Sequence, residues 1–183
     1  MICLLASAVA AFGGRWWLLG VAISERKGSR VALPGTLISA VVAAGLAAMA
    51  GGWIAAAVRG PGMLLFLALS LLFAGASALW PVKPISDRVT DSARGPVAAV
   101  ILLLAAQLSD SAPFIILAAA AWTRDTGLAA IGGMIGLLAA AGVGLAIGLD
   151  QRVMARVGQI RMAIGIALLL LGAWVAVSAL GLV

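Results

Sequence analysis

Six long apolar runs alternate with short charged breaks along the chain, near 1–24, 31–58, 63–80, 96–122, 127–149 and 162–183. Each run is long enough to cross about 30 Å of hydrocarbon as an α-helix, whose backbone hydrogen bonds are all satisfied internally. The pattern predicts an all-α membrane protein of six transmembrane helices. The breaks are SERKGSR at 24–30, VRGPG at 58–62, PVKPISDRVTDSARG at 81–95, TRDT at 123–126 and DQRVMARVGQIR at 150–161. Composition agrees: 64% of residues are hydrophobic and 10% charged, against about half and a quarter in soluble domains.

The net charge of +6 gathers in the breaks rather than on a polar face, so it reads as topology and not as a nucleic-acid surface. Nine Lys and Arg lie in the first, third and fifth breaks and two in the second and fourth. That asymmetry predicts a multi-pass protein of a bacterial inner (plasma) membrane with those three breaks cytoplasmic and both termini outside. The opening MICLLASAVA has no basic residue before its apolar run, which continues past Trp17, so it reads as a first span and not as a signal peptide. One cysteine, Cys3, allows no internal disulfide, and the absence of histidine removes the usual zinc and redox ligand sets. No nucleophile with a base, phosphate loop or cofactor motif occurs, so neither an enzyme nor a resident cofactor is expected.

At an offset of 97, Gly35 aligns with Gly132, Gly45 with Gly142, Gly51 with Gly148, Arg59 with Arg156 and Gly75 with Gly172. Order and spacing persist across two spans and the following loop, which chance glycine coincidences rarely do. The predicted domains are a three-span repeat at 1–80, a cytoplasmic linker at 81–95 and a second three-span repeat at 96–183. With three spans per half, the second half enters the membrane inverted, as in many secondary transporters. The G-x-x-x-G spacings at Gly132–Gly136 and Gly144–Gly148 read as close-packing surfaces. Trp80 and Trp122 read as interfacial anchors, as do Arg59 and Arg156 by snorkelling. Trp16, Trp17, Trp53 and Trp174 take no role from sequence.

Two runs contain residues that hydrocarbon excludes. AFGGRWW at 11–17 holds Arg15, and AQLSDSAPF at 106–114 holds Gln107 and Asp110. An ionisable group near the bilayer centre costs about 2.5 kcal/mol or more and usually faces a cavity or partner. At an offset of 96, Gly14 aligns with Asp110 and Ala11 with Gln107, so both stretches occupy equivalent places, where inverted-repeat transporters build substrate sites. Pro113 is expected to bend the fourth span.

These stretches, the glycine-rich second spans and the third-span segments LSLLFAGASALW at 69–80 and IALLLLGAWVAV at 166–177 resemble the Gdt-one type transporters. That family includes the Golgi transmembrane protein one-six-five and bacterial manganese exporters. The resemblance implies six spans in two inverted halves, each opening with a motif close to E-x-G-D-K/R-T/S, whose carboxylates hold a transported Mn²⁺ or Ca²⁺ exchanged for protons. Hard dications favour such oxygen clusters. Here the first motif reads Ala11-Phe12-Gly13-Gly14-Arg15-Trp16 and the second Gln107-Leu108-Ser109-Asp110-Ser111-Ala112, so one acid of four remains.

The resemblance therefore implies ion transport of manganese or calcium, with Asp110 as metal ligand beside Gln107, Ser109, Ser111, Arg15 and Gly14. Two alternatives stay open: a member that has lost cation transport, with Arg15 and Asp110 as a structural pair, and an exporter of a small organic or amino-acid solute. Expected partners are the lipid bilayer and a small cation substrate, with no nucleic acid and a homo-oligomer left open. Equivalent positions in the two repeats predict that Arg15 and Asp110 pair directly or through one water.

Overall fold

The computed structural model describes residues 1–81, 85–148 and 151–181, without the side chains of residues 2, 61 and 151–155. Residues 82–84 of the expected linker, residue 149 of the fifth expected span, residue 150 of the fifth break and residues 182–183 of the sixth span lie outside the described set. All regular structure among the described residues is helical: α1 (Ile2–Ala11), α2 (Arg15–Lys27), α3 (Ser29–Ala57), α4 (Pro61–Leu79), α5 (Asp87–Ser92), α6 (Pro96–Gln107), α7 (Ser111–Thr123), α8 (Thr126–Ile147) and α9 (Gln151–Ala179).

Four of these, α3, α4, α8 and α9, are long and apolar enough to cross a membrane singly. The α1–α2 and α6–α7 pairs meet the same test together, each bent at its break by 62° and 70° respectively, which brings the candidate spans to six if each pair is one. The protein is an all-helical, multi-pass membrane protein. Its section is the reverse of a soluble domain. The core is built largely of alanine, with Ala32, Ala40, Ala44, Ala74, Ala99 and Ala120 buried, while Leu46, Leu69, Ile131 and Leu170 face outward. In lipid, leucine gains nothing by leaving the surface, and small residues let helices approach.

The runs expected as the first and fourth spans are thus each two helices with a bend between them. Gly13, at φ 72°, supplies the left-handed turn that breaks the first. The second breaks at Leu108–Asp110, upstream of Pro113, which is the third residue of α7. There its missing N–H is one of the donors a helix start leaves unpaired, so Pro113 does not cause the bend. The sixth span also differs from expectation: α9 begins at Gln151, so the charged stretch to Arg161 continues into the helix rather than forming a loop.

The 81–95 segment contains α5, which lies against the end of α2. Arg26 forms an ion pair with Asp87 and donates to Thr90 Oγ1 at 3.2 Å, and Lys27 Nζ lies 3.4 Å from Asp91. α2 is further fixed by two indoles. Trp16 Nε1 donates to Ser39 Oγ on α3 at 2.9 Å, and Trp17 Nε1 donates to the Ala140 carbonyl on α8 at 2.7 Å. A Cβ at Gly144 would lie 2.5 Å from that indole nitrogen, so Gly144 is where α8 admits Trp17. The Gly132–Gly136 spacing receives α1, against Leu4 and Ser7.

Candidate functional site at the helix breaks

α1 packs on α7 and α2 on α6, so the two broken pairs cross at their breaks. Asp110 is the N-cap of α7: its backbone is extended, and Oδ1 accepts the Ser111 amide at 2.9 Å. Ser111 Oγ donates across the crossing to the Ala10 carbonyl at 2.7 Å, closing the last turn of α1. On the other side stands Gly14, the N-cap of α2. A Cβ there would overlap the Asp110 carboxylate, its Cγ being 2.5 Å away, so only glycine permits the approach. The first turn of α2 thus begins against the same carboxylate.

Two helix N-termini therefore converge on one buried acid. Each carries roughly half a positive charge from its aligned peptide dipoles, and free backbone N–H groups point out of it. This arrangement accounts for a carboxylate in an apolar run. A guanidinium adds to it from an unexpected direction. Arg161 on α9 is 8% exposed, its Cδ would lie 3.8 Å from a Cβ at Gly13 of the first break, and its Nη2 donates to the Ser77 carbonyl on α4 at 2.8 Å; it forms no ion pair with Asp110 among the described residues.

Arg15 is exposed and makes no ion pair with Asp110, which corrects the expected direct contact. The physical reason is the break itself: Gly14 meets Asp110 through its backbone, and the next side chain projects out of the crossing. Ser109 is likewise exposed, with Oγ bonded back to the Ala106 carbonyl at 2.9 Å, so it does not join the carboxylate. Asp110, Ser111 and Gly14 do come together. Gln107 is buried one turn before Asp110, whose amide donates to the Gln107 carbonyl at 3.0 Å. Arg161 was the residue that sequence missed, because it ends a charged break and reads there as a topology signal.

The crossing is not saturated. Gln107 Nε2 and Oε1, Asp110 Oδ2 and Arg161 Nε are buried without a hydrogen-bond partner among the described residues. They comprise donors and acceptors in equal number. No group of three or more His, Cys, Asp or Glu that could hold a metal ion occurs among the described residues. Comparison with family models, curated proteins and solved structures gives no match.

Proposed function

We propose that the protein is a secondary transporter with six spans in two inverted three-helix repeats, and that it moves a small polar solute through the crossing of its two broken spans. The observation that carries this reading is the set of unpartnered buried atoms on Gln107, Asp110 and Arg161. Each such atom costs about 1–3 kcal/mol if left dry, so a purely structural crossing would be expected to satisfy them internally. A polar guest satisfies them instead.

Support for the inverted repeat comes from glycines that align at the offset of 97. Gly75 on α4 abuts Leu169 of α9, and Gly172 on α9 abuts Leu72 of α4. Gly35 on α3 abuts Ala99 of α6, and Gly132 on α8 abuts Cys3 of α1. These two aligned pairs exchange partners as a pseudo-twofold axis would require. Gly14 and Asp110, which align at 96, touch each other, as residues on such an axis do. Discontinuous helices at the repeat interface are the usual substrate-holding elements of this architecture. In this reading the breaks at 24–30, 81–95 and 150–161 face the cytoplasm of a bacterial inner membrane.

Charge selects the solute class. One carboxylate shares the crossing with the buried Arg161 and two helix N-termini, a balance that disfavours a dication and suits a carboxylate-bearing solute. The open acceptor on Asp110 suits an amine or hydroxyl on the same molecule, so a small amino acid fits both. The Mn²⁺ or Ca²⁺ exchange implied by the family resemblance is the second reading. It is favoured by the open Asp110 Oδ2 and Gln107 Oε1, two oxygens that a cation could take. Flux into proteoliposomes tests both. We expect saturable movement of a labelled small amino acid, lost in Arg161→Gln. Movement of Mn²⁺ or Ca²⁺ alone, lost in Asp110→Asn, would establish the cation reading, and no flux of either would make the crossing structural.

A further inference from the structure

At the end of the molecule where α3 stops and α8 starts, a cavity of about 570 Å³ opens between them. Its wall changes character with height. Met49, Trp53 and Ala56 of α3 line the lower part, and Arg59 and Arg124 stand at the rim. From Met49 to the end of α3 the wall climbs about 12 Å, at 1.5 Å per residue. Trp53 is 73% exposed and Trp122, at the end of α7, 54% exposed. Exposed indoles at helix ends mark the membrane–water interface, so the two arginines stand at headgroup level and the Met49 wall at the upper acyl level.

No described acid neutralises the two guanidiniums. Neither forms an ion pair among the described residues. The adjacent acid, Asp125, is turned away: its Oδ1 caps α8 by accepting the Leu128 amide at 2.9 Å. Arg124 itself closes α7 in the left-handed conformation, φ 57° and ψ 19°, where a non-glycine residue is disfavoured. The base of the cavity is tight, since a Cβ at Gly52 would lie 2.9 Å from Thr126 Cγ2. The result is a walled recess, apolar below and doubly cationic above.

We propose that this recess binds the phosphodiester headgroup of an anionic phospholipid. Arg59 and Arg124 hold phosphate oxygens, which match the guanidinium fork, and Met49 and Trp53 flank the glycerol and the first acyl carbons. Arg59 is then more than a snorkelling anchor. The site is separate from the helix crossing and does not depend on the solute moved there.

Native mass spectrometry of the delipidated full chain in mild detergent, titrated with phosphatidylglycerol or phosphatidylcholine, tests the assignment. The expected result is preferential retention of phosphatidylglycerol, falling about tenfold to the phosphatidylcholine level in Arg59→Gln/Arg124→Gly, the change that loss of a charge-assisted phosphate contact gives. The second substitution also relieves the left-handed backbone, so a melting temperature no lower than the parent's reports an intact fold. Arg30→Gln, an exposed charge at the other end of α3, should leave retention unchanged. Equal retention of the two lipids, full retention in the double variant, or an equal loss in Arg30→Gln would overturn the site. Displacement of phosphatidylglycerol by inorganic phosphate alone would overturn the lipid as its occupant.

Discussion

Gly14 sets the closeness of the crossing, because its missing side chain is the space that the Asp110 carboxyl occupies. Gly14→Ala should destabilise the protein by about 1–3 kcal/mol, the usual cost of overpacking. Combined with Asp110→Ala, the loss should be smaller than the sum, and thermal melting of the singles and the double in detergent measures the coupling. The two arginines should separate cleanly. Arg15→Ala is expected within about 0.5 kcal/mol of the parent, as for an exposed side chain, whereas Arg161→Ala should cost about 1.5–3 kcal/mol through its lost bond to the Ser77 carbonyl. Equal effects of the two would contradict the burial of Arg161 and its bond to Ser77. Asp110 was legible in the sequence because a carboxylate in an apolar run is out of place. Its surroundings were not: backbone amides leave no trace in side-chain identity, and Arg161 is concealed among loop charges.

At the scale of elements, run length and hydropathy identify what can span but not where a span breaks. The breaks at Phe12–Gly14 and Leu108–Asp110 contain no proline, while Pro34 sits within the continuous α3 and Pro113 within α7. What ends α1 is the left-handed Gly13, and what starts α7 is the Asp110 cap, both local backbone effects invisible to a hydropathy average. α2 holds its tilt through Trp16 and Trp17, whose roles needed the distant acceptors on α3 and α8. Trp17→Phe should therefore cost about 1 kcal/mol for the lost bond, and Gly144→Ala more, because the new methyl would enter the indole. Gly142→Ala is the control: its added Cβ meets nothing within 4 Å, and melting temperatures rank the three.

For the whole molecule, the helical, multi-pass character was readable from the apolar runs, since any helix that crosses the bilayer needs about 20 apolar residues. Which charges serve as loops was not, as α5 and the start of α9 show. In a Cys3→Ser background, Asp87→Cys should resist an impermeant thiol reagent applied to intact cells if the basic breaks are cytoplasmic. Labelling from outside would reverse the orientation. The Arg26–Asp87 and Lys27–Asp91 pairs are solvent-facing, so each should contribute about 0–1 kcal/mol and weaken as salt is raised. Asp91→Ala should accordingly leave stability nearly unchanged at high ionic strength.

If the two halves are the inverted repeats proposed above, the meeting of Gly14 with Asp110 also bears on ancestry. Were either half to assemble with a copy of itself about the same axis, the central position would be occupied twice by one residue type. Two copies of the first half would oppose glycine to glycine and leave a hole; two copies of the second would oppose aspartate to aspartate and force one acid to give way. A fused gene escapes that constraint, since each half can mutate alone. Under that proposal the glycine on one side and the acid on the other would be a mark of fusion, and neither half should reconstitute the fold as an antiparallel homodimer.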